Sequence, residues 1–177
     1  MRIRVVAAVI GELTRYFALA FVLPVLLAAW DGHWWSVVAF TSSAAFAGAL
    51  GTLASWKFKP PRVFYREEAL AIVAGTWVAI AAMGAVPYTL LGLSLPDAMF
   101  ESMSGFTTTG ATILTDFTPY DRSFFLWRAM TQWFGGLGVI ALFVVVLPAL
   151  GIAGRQLFFA EASYDSGESV APRVRQA

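Results

Sequence analysis

The amino-acid sequence predicts an all-α polytopic membrane protein: two N-terminal transmembrane helices, followed by a repeat of transmembrane helix, re-entrant pore loop and transmembrane helix. Three observations carry this prediction. Hydrophobic residues make up 59% of the 177 positions and charged residues only 13%, with a mean hydropathy of +0.71, whereas an ordinary soluble domain is about 25% charged. Apolar runs long enough to cross a hydrocarbon core of about 30 Å occupy residues 5–30, 34–56, 69–93 and 124–152. Between the last two lies a segment too apolar and too patterned for a plain loop.

The same composition excludes several classes of function. Twelve basic residues nearly cancel eleven acidic ones, and the net charge of +1 offers no nucleic-acid surface. The chain has no cysteine and one histidine, His33, so it can build neither a disulfide framework nor a cysteine or histidine-cluster metal site. No nucleophile, base and orienter converge, and no glycine loop is arranged to cradle phosphate, so neither an enzyme nor a bound cofactor is expected.

The first span begins basic and turns apolar, but its run is too long for a signal-peptide core of about 7 to 15 residues, and it is expected to be retained. Glu12 and Arg15 place its membrane portion from about Tyr16 onward or lie near the headgroups themselves, and Pro24 is a kink candidate. The short break Asp31-Gly32-His33 makes the first two spans an antiparallel hairpin over 1–56, with Trp30, Trp34 and Trp35 as interfacial anchors and His33 as a loop residue of that interface. Residues 57–68 form a basic loop interrupted by Pro60-Pro61 and rich in Lys57, Lys59, Arg62 and Arg66. Arg2 and Arg4, this loop, and Arg155, Arg173 and Arg175 fall on one side of an alternating topology, whereas Asp31, Asp97, Glu101, Asp116 and Asp121 fall on the other with Arg122. The excess of positive charge marks the first side, and both termini, as cytoplasmic. Residues 155–177 read as a polar connector on that side.

The pore repeat covers 69–154, as a span over 69–93, a pore helix and filter over 94–116, and a span over 121–152. Ser94 or Asp97 can cap a short helix, Pro96 suits its first turn, and Ala98, Met99, Phe100, Met103 and Phe106 follow. About three helical turns cannot cross a bilayer, and such a helix is tolerated at membrane depth only when buried in protein or facing a water-filled path. Gly105 and Gly110 bracket the threonines that follow it. Potassium loses its hydration shell on entering a membrane, and backbone carbonyls can replace that shell. Threonine offers a carbonyl and a hydroxyl, while glycine accepts the positive φ that turns successive carbonyls toward one axis. Thr108, Thr109, Gly110, Ala111 and Thr112 form such a strip, and a preceding helix would aim its partly negative carbonyl end at a cation there. The plain alternative is a polar turn between two helices.

Gly135 and Gly136, in Gln132-Trp133-Phe134-Gly135-Gly136-Leu137-Gly138, permit close helix approach in support of that loop. Glu101 and Arg128 are the ionisable residues expected within membrane depth; they either pair across the pore helix and last span, or Arg128 snorkels outward with Glu101 in the vestibule. Asp116 and Asp121 can focus cations electrostatically, and Asp121, after Pro119, can instead cap the last span.

Asp97-Ala98-Met99-Phe100-Glu101-Ser102-Met103-Ser104-Gly105-Phe106-Thr107-Thr108-Thr109-Gly110-Ala111-Thr112 resembles the first pore loop of the Trk/Ktr/HKT superfamily of potassium transporters, in its bacterial TrkH-type branch. The Gln132 to Gly138 run resembles the start of the following helix, and Leu147-Pro148-Ala149-Leu150-Gly151 the end of that repeat. The resemblance implies a bacterial inner-membrane protein with Gly110 as filter glycine and potassium bound at Thr108, Thr109 and Gly110. It also implies four repeats around one pore, and a cytosolic nucleotide-binding regulatory ring as partner. One repeat is present here, a quarter of a filter. The chain is therefore expected to be a fragment or truncated transporter completed by the remaining repeats; a self-assembling homotetrameric cation channel subunit and a non-conducting membrane remnant are the alternatives. Thr112 stands where potassium channels often carry a second filter glycine, which loosens the expected selectivity.

Overall fold

The structure, a computed structural model, describes residues 2–56 and 65–140. The chain divides into two compact units, 1–137 and 138–177. Within the second, only 138–140 belong to the described residues, and they are helical. The basic segment 57–64, the remainder of the expected fourth span and the connector 155–177 lie outside the described residues.

Among the described residues of the first unit every regular element is a helix and there is no strand. Helix α1 (Ile3–Phe17), a 3-10 turn (Ala18–Phe21) and α2 (Val22–Trp30) together form the first long apolar rod. The tightened turn ends three residues before Pro24, whose missing N–H and bulky ring disturb the preceding turn. Helix α3 (Trp34–Ser55) returns antiparallel, and α4 (Arg66–Leu90) crosses again. All three passages are long and apolar enough to span a membrane. Helix α5 (Leu95–Phe106) is short, and α6 occupies residues 122–140.

Helix α4 starts and ends about one turn earlier than the hydropathy pattern suggests. At its start, Glu68 Oε2 accepts the Tyr65 backbone N–H at 3.1 Å, and Glu67 and Glu68 occupy the first turn, where negative charge suits the helix dipole. At its end, Gly92 adopts φ +109° and a Schellman cap closes with Gly92 N–H on Thr89 O at 3.2 Å and Leu93 N–H on Tyr88 O at 3.1 Å. The same cap ends α2, where Gly32 takes φ +77° and His33 N–H reaches Ala28 O at 2.9 Å.

The core gathers around Trp127 of α6, which is completely buried. Its ring stacks on Phe21 with centroids 4.5 Å apart, and its indole N–H donates to the Gly84 carbonyl at 3.1 Å. Phe17 and Phe40 pack around the same ring, so α6 is tied at once to the first rod, α3 and α4. Helices α1 and α3 meet backbone to backbone: a Cβ on Gly51 would lie 2.6 Å from the Gly11 carbonyl oxygen and 2.8 Å from Arg15 Cα.

Polar contacts sort the loops into two ends. At one, Arg2 grips Glu68 through Nε at 2.8 Å and a terminal guanidinium nitrogen at 2.7 Å. At the other, Arg122 reaches Asp31 at 3.1 Å, Ser36 donates to Asp121, and the Trp35 indole N–H donates to Leu90 O at 3.1 Å. The basic amino terminus and the acidic Asp31 and Asp121 therefore occupy opposite ends of the bundle.

Candidate pore-loop site

Helix α5 has 12 residues, a length of about 18 Å at 1.5 Å per residue, and cannot cross a bilayer alone. Of the two residues able to cap it, Ser94 does so: its Oγ accepts the Asp97 N–H at 3.4 Å and donates to Asp97 Oδ2 at 2.6 Å. Three glycines let neighbouring backbones and rings close around its carboxyl end. A Cβ on Gly84 of α4 would stand 2.6 Å from the Phe106 ring, one on Gly105 would stand 2.9 Å from Thr131 Cβ, and one on Gly135 would stand 2.8 Å from the Phe106 carbonyl carbon. Ser102 adds a hydroxyl bond to Ala81 O at 2.6 Å. Gly136, expected to share this supporting role, has nothing within 4 Å of a Cβ among the described residues. One position along a helix turns the side-chain direction by about 100°, so only Gly135 faces the loop.

Helix α5 ends in a third Schellman cap. Thr108 N–H bonds Gly105 O at 2.8 Å and Thr109 N–H bonds Ser104 O at 3.0 Å, with Thr108 at φ +58°. Its two counterparts use Gly32 and Gly92 at that position, whereas here a β-branched residue adopts the left-handed conformation that costs such residues most. Gly110 follows at φ +73°, so Thr109 lies between two left-handed residues.

Glu101 connects this turn to the helices around it. Its side chain is fully buried. Oε1 accepts the Thr112 hydroxyl at 2.5 Å and the Ile113 N–H at 2.8 Å, while Oε2 accepts Arg128 Nε at 2.9 Å. A second guanidinium nitrogen of Arg128 donates to the Gly110 carbonyl at 3.3 Å. The pair joins α5, α6 and the threonine strip, and Arg128 does not snorkel away from Glu101. Ser104 Oγ donates to the Ala111 carbonyl at 2.6 Å. The outer surface of residues 107–113 is exposed, and among the described residues no donor reaches the Thr108 or Thr109 carbonyl.

The remaining acidic residues are held locally. Asp121 caps α6, its Oδ1 accepting the Phe124 N–H at 3.0 Å and the Ser123 hydroxyl at 2.6 Å. The Thr118 N–H at 2.9 Å and then its hydroxyl at 2.8 Å bond Asp116 Oδ1 and hold that carboxyl below its ordinary pKa. No group of acidic and histidine side chains among the described residues is placed to hold a metal ion. The sequence pattern had not singled out Ser104, Gly84, Thr131 or Trp127; glycine at 84 and serine at 104 are common enough in apolar helices to give no signal of their partners.

A sequence model of the TrkH cation transport protein family matches residues 36–176. The chain belongs to that TrkH family. The family is one of cation transport proteins, not of enzymes, and the chain is accordingly a multi-pass membrane protein. It is 36% identical over 167 residues to the Trk system potassium uptake protein TrkH of Salmonella typhimurium, covering 91% of this chain and 34% of that protein. It is 36% identical over 141 residues to the Trk system potassium uptake protein TrkI of Halomonas elongata, covering 77% of this chain and 28% of that one. The fold is similar to the crystal structure of the potassium transporter TrkH from Vibrio parahaemolyticus, with a TM-score of 0.76 and 29% identity over 93% of this chain and 36% of that chain. The TrkH-family chain thus spans about a third of the length of the relatives it matches.

Proposed function

We propose that this chain supplies one wall, a quarter, of a potassium-selective pore in the bacterial plasma membrane, with further repeats of the same kind completing the ring. Residues Thr108, Thr109, Gly110, Ala111 and Thr112 form the filter strip on a re-entrant loop, and Glu101, Arg128 and Gly135 support it. The observation that carries this reading is the junction of α5 with the strip: a short helix, buried over its carboxyl half, ends on an exposed turn whose Thr108 and Thr109 carbonyls have no donor among the described residues. Unpaired carbonyls beyond the negative end of a helix are ligands for a dehydrated cation. The potassium uptake proteins among its relatives name the ion.

Orientation follows from the charges. Arg2 clasps the start of α4 at the end opposite Asp31 and Asp121, and the positive end belongs in the cytoplasm. Both termini are then cytoplasmic and the strip opens outward.

The test is rubidium uptake by the full-length protein carrying this repeat, produced in bacteria that lack their own potassium uptake. Gly110→Asp, which puts a carboxylate and a strained backbone into the strip, is expected to abolish uptake while the protein still reaches the membrane. Undiminished uptake by that variant overturns the pore assignment.

A further inference from the structure

At the acidic end of the bundle, residues of the α2–α3 turn, the loop after α4 and the start of α6 enclose a cavity of about 570 Å³ that shares no lining residue with the threonine strip. Small-ligand sites run from about 300 to 1,000 Å³. Trp34 and Trp35 line it from the first turn of α3 and stand largely exposed, as tryptophans of the headgroup layer do. Its walls are fixed in advance. The Trp35 indole N–H is held on Leu90 O at 3.1 Å, Tyr120 stacks on the buried Phe124 ring with centroids 4.2 Å apart, and the buried Ser36 hydroxyl donates to Asp121. With His33 neutral, the lining carries one charge of each sign, Arg122 and Asp121.

We propose that this cavity binds the headgroup of an ethanolamine phospholipid, with its phosphate on Arg122 and its ammonium group at Asp121 within the aromatic wall. Arg122 has 75% of its side chain exposed and spends one N–H on Asp31 at 3.1 Å, so other donors of its planar fork are open to a phosphate. The faces of the lining aromatic rings and the Asp121 carboxylate both attract an ammonium group. A plain anion would be repelled by Asp121 and a plain cation by Arg122, whereas a zwitterion satisfies both. A primary ammonium also donates hydrogen bonds to a carboxylate, which a quaternary one cannot, and this favours ethanolamine over choline. The ends of the long apolar helices and the exposed tryptophans set the cavity at headgroup depth, which selects a lipid over a soluble zwitterion. Such binding belongs to the bundle and does not depend on the pore reading.

The experiment is native mass spectrometry of the full-length protein carrying this repeat, purified in detergent and titrated with phosphatidylethanolamine, phosphatidylcholine and phosphatidylglycerol of identical chains. Phosphatidylethanolamine is expected to be retained most tightly by the unaltered protein. Arg122→Gln should weaken that binding about tenfold, the worth of a charge-assisted hydrogen bond. Asp121→Asn, which keeps a good helix cap, should erase the preference for ethanolamine over choline while phosphatidylglycerol binds as well as before or better. Trp34→Ala, at an exposed position, should weaken phosphatidylethanolamine binding without disturbing the cap. Equal retention of the three lipids, or a preference that survives both Arg122→Gln and Asp121→Asn, overturns the assignment. Displacement of bound phosphatidylethanolamine by an equimolar amount of free phosphoethanolamine would give the cavity to a soluble zwitterion and overturn its lipid source.

Discussion

Arg128 and Glu101 meet at 2.9 Å with the carboxylate side chain wholly buried, and the other oxygen of the same carboxylate takes the Thr112 hydroxyl and the Ile113 N–H. A single acidic group therefore holds the helix before the strip, the helix after it and the strip itself. Removing one partner leaves the other charge buried without compensation, which costs about 3 to 5 kcal/mol. Glu101→Ala and Arg128→Ala are each expected to lower the thermal unfolding midpoint in detergent sharply. Glu101→Ala/Arg128→Ala should lose clearly less than the sum of its two single variants. Additive losses in that cycle would show that the two side chains do not act on each other.

The glycines beside the loop should separate cleanly. Gly105→Ala and Gly135→Ala push a methyl group into Thr131 and the Phe106 carbonyl, backbone or stiff neighbours that cannot yield easily, at a cost of about 1 to 3 kcal/mol each. Gly136→Ala meets nothing among the described residues and removes a flexible residue from a helix, a gain of up to about 1 kcal/mol. Thermal midpoints of the three variants in the same detergent check the ordering; a Gly136→Ala loss as large as that of Gly135→Ala would contradict the packing described.

Much of this architecture was legible because hydropathy and length are summed properties. Spans near 20 residues register in any scan, and Ser94 with Pro96 announces the start of α5 through local chemistry alone. Pairing of Glu101 with Arg128 was one of two expectations, beside an outward-snorkelling Arg128, because charge at membrane depth needs a partner; only the packing of α5 against α6 decides for the pair. The early start of α4 was hidden since Glu67 and Glu68 look like loop residues by hydropathy, whereas the helix dipole welcomes them in a first turn. Its early end depends on Gly92, whose role appears only once the backbone turns left-handed. Ser104 was silent for another reason: its bond to Ala111 exists only after the strip folds back over α5, a long-range event with no local signature. Gly135 and Gly136 are equivalent as letters, and only the rotation of α6 distinguishes them.

The amino-terminal clasp offers a contrast between two ion pairs. Arg2 covers the Glu68 carboxylate and also lies over the Tyr65 ring at 4.8 Å, while Glu12 and Arg15 pair at 2.7 Å with both side chains well exposed. Exposed pairs of the second kind are worth at most about 1 kcal/mol. Arg15→Gln should therefore leave hydrogen exchange along α1 close to unchanged. Arg2→Gln exposes Glu68 and releases two elements at once, so faster exchange is expected at both Val5 and Ala69. Equal, small effects from the two substitutions would mean that the clasp does not hold the start of α4.

Thr108 gives the sharpest test of what the strip is built for, because the chain contains its own controls. Gly32, Gly92 and Thr108 occupy the same position in three Schellman caps, at φ +77°, +109° and +58°. Left-handed backbone costs a non-glycine residue about 1 to 2 kcal/mol, partly offset by the lower entropy of its unfolded chain, worth about 0.5 to 1 kcal/mol against glycine. Gly92→Thr should therefore lower stability by roughly the difference, about 1 kcal/mol, with the uptake ratio of potassium to sodium unchanged. Thr108→Gly should leave thermal stability equal or higher and yet impair transport, because it frees a backbone that the branched side chain stiffens and deletes the hydroxyl bonded to Thr107 O at 2.7 Å. Thermal unfolding and rubidium uptake measured on the same preparations decide the matter. A variant both more stable and less active would identify the strain at Thr108 as the cost of a rigid ion path, whereas a destabilised Thr108→Gly would show that threonine is simply the better cap there.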